Sequence, residues 1–285
     1  MKKTLKKVGC AALALCTLAA GTVSFTSCTT DRPEVEMQLS FNGETYTLYY
    51  TLYRKYAPNT VNHFLALTEN GYYDGLCVHN YEANAKLYTG AYTYDESVSE
   101  NGGLVYKKYY DEVQTYKNFP IGVWRDQDKE TPTYTLYGEF ENNNFKVENG
   151  SFLSQSFGAL TMYYTQKEEE ENYVYVQKIS EDKVVGRDYA HNSATSMFTI
   201  SLTATAADKN YCTFATLDNT DVLQSLKTAV EEYANNYDAD EGSFTVSKTV
   251  EVSEDDYYVG EDGLTETYYI PESPIVIEYV KVNKY

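Results

Sequence analysis

Residues 57–80 read APNTVNHFLALTENGYYDGLCVHN, and the fold is decided there. Pro58 suits the first turn of a helix, where its missing N–H would have had no partner. Val61, Phe64, Leu65 and Thr68 then fall at i, i+3, i+4 and i+7, so one face of that helix is largely apolar. His63 lies off this face and reads as an exposed structural residue. Asn70-Gly71 tolerates a left-handed backbone and ends the helix. Tyr72-Tyr73-Asp74-Gly75 reads as a turn, and 76–81 as extended chain.

Strand signals flank this unit. Upstream, Met37, Leu39 and Phe41 alternate with polar residues, Asn42-Gly43 is a hairpin turn, and 45–53 returns as a second strand. Downstream, 86–92 is strand-like. Residues 93–133 are polar and patternless around Trp124 and read as an insertion with one local hairpin. Strand character resumes in 134–145 (YTLYGEFENNNF), 158–162 (GALTM), 192–202 (NSATSMFTISL) and 211–215 (YCTFA). A second insertion, 163–190, carries Glu168 to Glu171; it reads as a solvated loop, since a Ca²⁺ loop interleaves Asn, Asp and Gly. A second amphipathic helix is expected at 220–235, with Val222, Leu223, Leu226, Ala229, Val230 and Tyr233 on one face and Asn219 or Thr220 as its cap. The stretch 238–266 is acidic, with a strand at 243–252, and 271–282 (PESPIVIEYVKV) alternates strictly.

The chain has 285 residues, 15% aromatic, with 31 tyrosines. So much ring surface demands a packed fold, and the excess of Tyr and Thr favours strands. Lys2, Lys3, Lys6 and Lys7 precede the apolar run 8–20, which has signal-peptide length. Ser27-Cys28 after it looks like a bacterial lipobox, with Phe25 where Leu is usual; an ordinary signal peptide is the alternative. This divides the chain into a signal peptide (1–27), a tether (28–35) and one domain (36–285), extracytoplasmic and lipid-anchored to a bacterial membrane through Cys28. Cleavage would leave 19 of the 23 basic residues against 42 acidic ones, a formal charge of −23. Such a surface repels nucleic-acid phosphates and anionic headgroups, so no nucleic-acid role is expected. Solubility explains the charge, and basic peptides or Ca²⁺ are the sharper alternatives. Cys77 and Cys212, the two remaining cysteines, read as buried thiols rather than a disulfide framework.

The ordered series of segments resembles the cyclophilin family of prolyl isomerases. The helix beginning A-P, the Y-Y-D-G turn, the H at 79, the Y-G-E-F run, the G-A-L-T-M strand and the 192–202 strand all match family segments in order. The resemblance implies a mainly β fold: a closed eight-stranded antiparallel barrel capped by two helices, here with two large loop insertions at about 93–133 and 163–190. It also implies a peptidyl-prolyl cis-trans isomerase or folding factor acting on proline-containing segments of exported proteins. No cofactor or metal is implied, and no metal-ligand spacing, phosphate loop or nucleophile–base pair is visible.

The family's site maps onto changed residues. Its catalytic arginine falls on Asn80 and its glutamine on Tyr88, which makes these the catalytic candidates. Substrate-binding positions fall on His79, Ala85, Lys86, Met162, Tyr163, Met197, Thr199 and Tyr211. His79 reads as a buried, hydrogen-bonded strand histidine. Isomerisation requires only rotation about a C–N bond with a barrier of roughly 18–20 kcal/mol. A charged, forked guanidinium can donate to the twisted amide; an Asn amide is shorter and uncharged. Lys86, Arg125 and Arg187 are the cations that could stand in. The activity is therefore expected to be weak, and the alternative is a non-catalytic peptide-binding or chaperone-like surface lipoprotein on the same fold.

Overall fold

A computed structural model describes residues 30–98, 103–147, 151–164, 173–178, 183–188, 193–236, 245–251, 265–271 and 273–285. The signal peptide, Cys28, the four-glutamate run and His191 lie outside these residues.

Eight strands form the main sheet: β1 (Glu34–Phe41), β2 (Glu44–Leu52), β3 (Asn80–Glu82), β4 (Lys86–Thr89), β5 (Leu160–Met162), β6 (Phe198–Ser201), β7 (Thr213–Leu217) and β8 (Val276–Lys284). Their order is β8–β1–β2–β7–β5–β6–β4–β3, and every pairing is antiparallel. The β1–β2 hairpin turns on Asn42 (φ 50°) and Gly43 (φ 83°). Two successive left-handed residues give a turn whose twist matches that of the strands.

The sheet curls into a half-barrel, which corrects the expected closed barrel. The ladder has two ends, β3 and β8, and β8 is met by the segment before β3, around an isolated antiparallel bridge of Cys77 with Val276. Val78 N–H donates to the Ile275 carbonyl (2.8 Å), Ile277 N–H to Leu76 (2.7 Å) and Gly75 N–H to Ile277 (2.8 Å). On its other side the same segment donates from Cys77 N–H to Tyr92 (2.7 Å) and from His79 N–H to Tyr88 (3.0 Å), so its amides face both ways, and toward β8 it forms the isolated bridge of Cys77 with Val276. The strand expected at 76–81 accordingly shortens to Asn80–Glu82.

Helices α1 (Pro58–Glu69) and α3 (Thr220–Asn236) are the two expected. The Phe64 ring of α1 lies 5.5 Å from Phe198, 5.2 Å from Phe214 and 5.0 Å from Tyr73. Leu223, Leu226 and Val230 of α3 enter the same core. Short helix α2 (Tyr109–Val113) lies in the first insertion and was not expected. It explains why His63 is buried rather than exposed. Tyr109 of α2 stacks on His63, and Phe119 meets it edge-on at 5.0 Å. His63 Nε2 lies 2.8 Å from the Thr195 carbonyl, and burial lowers its pKa to about 4. The polar face of α1 is thus covered by the insertion.

The two insertions are also joined. The first contains the expected local hairpin, Tyr92–Tyr94 against Leu104–Tyr106. Farther on, Val123–Trp124 pairs with Tyr173–Lys178 of the second insertion, which pairs in turn with Lys183–Asp188.

The start of α1 has no cap of its own: Ala57 stands at the N-cap position, with no side-chain hydrogen bond. Glu139, from the YGEF run, supplies one. Its carboxylate accepts the Asn59 N–H (3.0 Å), the Thr60 N–H (2.8 Å) and the Thr60 hydroxyl (2.7 Å). Burial raises the Glu139 pKa to about 7, against the pull of these donors. Replacing Glu139 with Ala strands a buried helix donor at Thr60 and a half-buried one at Asn59, and a loss of about 2 kcal/mol is expected, read as a Tm drop of roughly 4–8 °C for a domain of this size. The pH dependence has a definite sign. The folded pKa lies above the ordinary 4.5, so the folded state holds a proton that the unfolded chain releases. The stabilisation from this site is full below pH 4.5 and is lost as pH rises through about 7. Urea unfolding across that window should fall more steeply for the native chain than for Glu139→Gln.

Candidate functional site

The strands β3, β4, β5 and β6 bring most of the expected site residues to one region. Asn80 on β3 pairs with Tyr88 on β4, Tyr88 pairs with Thr199 on β6, and Thr199 pairs with Thr161 on β5. Side chains alternate along β4: Leu87 is buried, while Lys86 and Tyr88 are half-buried on the other face. There the Tyr88 ring meets Tyr163 edge-on at 5.7 Å, and Lys86 Nζ lies 5.4 Å from the centre of the Tyr211 ring. Burial, with the Glu82 carboxylate nearby, pushes the Tyr88 phenol well above its usual range. It stays protonated at any physiological pH and is a hydrogen-bond donor. The result is three tyrosine faces and one ammonium, able to hold an apolar ring and donate to a carbonyl.

Several expected site residues are buried or engaged within the protein. Met162 and Thr199 are buried, Met162 within the main core and Thr199 with its hydroxyl directed at the Thr161 carbonyl (3.4 Å). Ala85 forms the turn between β3 and β4, donating to Glu82 (2.9 Å) and accepting from Leu202 (2.8 Å). His79 is buried as expected, its ring 5.0 Å from that of Tyr92; burial lowers its pKa to about 3 and holds it neutral. Asn80 Oδ1 accepts the backbone N–H of Tyr269 at 3.1 Å. Met197 packs, half-buried, against an apolar cluster of Cys77, Ala91, Tyr92, Leu104 and Ile270.

The profile of the family described as "cyclophilin type peptidyl-prolyl cis-trans isomerase/CLD" matches residues 36–246. The chain belongs to the cyclophilin family. Among solved structures it is similar to a cyclophilin-type isomerase of Cryptosporidium parvum, with 14% identity, 89% of this chain and 99% of the other covered, and a TM-score of 0.44. It is also similar to the Mimivirus cyclophilin, with 16% identity, 90% and 91% coverage, and a TM-score of 0.41. No curated protein matches the chain.

In this cyclophilin the amide oxygen of Asn80 is thus engaged by the chain's own backbone. Of the three cations considered as substitutes, Lys86 lies among the tyrosines. Arg187 instead lines a cleft of about 620 Å³ at the start of α1, together with Arg54, Lys55, Glu139, Lys146 and Val176. This cleft joins the second insertion to the core. Its basic side chains are largely committed to structure: Arg54 donates to Thr30 (2.6 Å) and Asn62 (3.0 Å), and Lys55 pairs with Asp31 (3.0 Å). Among the described residues, no group of three or more His, Cys, Asp or Glu could hold a metal ion.

Sequence reasoning missed Glu139, His63 with Tyr109, and the contact of Tyr269 with Asn80. Only the first left a signal, in the absence of a capping side chain at Ala57. The thiols follow expectation: Cys77 and Cys212 are unbridged and buried. Burial pushes the Cys77 pKa up to about 12 and that of Cys212 higher still. Neither thiol should react with Ellman's reagent at pH 8 in the folded domain, and both should react at once in denaturant.

Proposed function

We propose that this cyclophilin is a peptide-binding folding factor, held at a bacterial membrane through a lipid on Cys28, with prolyl isomerisation slow or lost. Its clients are proline-containing segments of exported proteins. The observation that carries this reading is the state of Asn80. The family's donor at this place is a guanidinium, charged and forked. Asn80 has no charge and a short reach, and with its oxygen accepting the Tyr269 amide only its Nδ2 group is left to donate. Losing one well-aimed donor to a transition state costs about 10²–10³ in rate in other enzymes, which makes exchange slow.

What remains supports binding. Tyr88, Tyr163 and Tyr211 offer large, stiff faces at low entropy cost, and the Lys86 ammonium beside Tyr211 can donate to a peptide carbonyl. Proline presents a flat apolar ring with no N–H to satisfy, so it suits such a surface.

NMR exchange spectroscopy on an Ala-Pro test peptide separates the readings. Exchange with the native domain should equal that with Asn80→Ala, while the peptide shifts resonances of Tyr88, Tyr163 and Tyr211. Exchange clearly faster than with Asn80→Ala would overturn the slow reading. The anchor is checked apart from this: incorporation of labelled fatty acid should be abolished by Cys28→Ser.

A further inference from the structure

The C-terminal part of the chain supplies a proline segment to its own site. We propose that residues 269–271, Tyr-Ile-Pro, are a resident ligand at the Asn80 end of the groove, and that the external peptides this site takes are extended segments with an aliphatic residue directly before proline. This rests on the peptide-binding reading above and names its ligand class.

Three contacts support it. The strand Thr265–Pro271 pairs on one side with Thr245–Glu251, in a register that sets Ile270 opposite Val246. On the other side the Tyr269 N–H reaches the Asn80 side chain (3.1 Å). Asn80 thus treats this strand as it would treat the main chain of an extended peptide. Ile270 is 3% exposed and packs with Cys77, Ala91, Tyr92 and Leu104, a cluster distinct from the main core, against which Met197 also packs. Asn80 and Met197 are two of the positions that family resemblance assigns to the groove. One segment of the chain hydrogen-bonds to the first and enters the cluster against which the second packs. Pro271 follows directly and is also buried. By contrast Tyr269 is 50% exposed, so its ring adds little to the fit, and the selective element is the aliphatic side chain before proline.

β3 ends the eight-stranded ladder among the described residues. A strand edge of this kind accepts extended chain, with backbone contacts giving affinity and side-chain pockets giving selectivity. Because the resident segment is covalently attached, it competes at the high effective concentration of an intramolecular ligand. An external peptide therefore binds with an apparent affinity reduced by the fraction of molecules whose site is vacated.

Fluorescence anisotropy with labelled Tyr-Ile-Pro-Glu and Tyr-Asp-Pro-Glu peptides tests this on the native domain and on Ile270→Ala, which empties the cluster but leaves the groove residues in place. Ile270→Ala should bind the Ile-Pro peptide at least tenfold more tightly than the native domain does, and at least tenfold more tightly than it binds the Asp-Pro peptide. Equal binding of the Ile-Pro peptide by both proteins, or no preference between peptides, overturns the resident ligand while leaving the peptide-binding reading intact. No binding of either peptide by either protein overturns the peptide-binding reading and this proposal with it. Asn80→Ala guards against misfolding of the first variant: it removes only the acceptor and should speed hydrogen exchange of the Tyr269 amide about tenfold. Unchanged exchange overturns the contact.

Discussion

Glu139 holds the first turn of α1 from 80 residues away in the chain, and much of the domain depends on that contact. A helix that begins Ala-Pro has no side chain able to accept its own first amides. Without a partner, the N–H of Thr60 would be buried unpaired, which is costly, and that of half-buried Asn59 would lose its acceptor. The carboxylate satisfies both and also takes the Thr60 hydroxyl. With α1 fixed, Phe64 is placed against Phe198 and Phe214, and through them against β6 and β7. Those two strands, with β5 between them, form the middle of the curled sheet. The same contact brings the 138–146 segment to the start of α1, where the large cleft opens.

The groove shows a different balance. Its backbone frame is intact: β3, β4 and β6 pair in simple antiparallel register, without bulges. Its half-buried face carries Tyr88, Tyr163, Tyr211 and Lys86, with Asn80 beside them. Packing explains how the frame tolerates this. Leu87, Phe198 and Ile200 point into the core, while Lys86 and Tyr88 stand on the opposite face. Strand alternation separates the residues that hold the sheet from those that meet a ligand, so the second set can change without disturbing the first.

The insertions are structural parts of the domain. The first carries α2, which buries His63 and Tyr109 against the outer side of α1. It then pairs through Val123 and Trp124 with the second insertion. The long C-terminal stretch behaves similarly, sending Ile270 into a small core of its own beside Asn80 and Met197.

The order of elements was legible in the sequence because period-2 and period-3.6 apolar patterns are local and survive divergence. Helix α1 at Pro58–Glu69, the Asn42-Gly43 turn, α3 and the last strand were all readable in this way. What the sequence could not carry were contacts between distant segments: the cap from Glu139, the burial of His63 under α2, the two-residue pairing of the insertions, and the hold of Asn80 on Tyr269. Each joins short polar or aromatic stretches with no periodicity of their own. The closed barrel expected from resemblance became a curled half-barrel for the same reason. Between β8 and the segment before β3 the pairing is the isolated bridge of Cys77 with Val276, which joins residues about 200 positions apart. Local patterns determine which elements form; the pairing of buried hydrogen-bonding groups across the chain decides how they close, and only the tertiary structure contains that pairing.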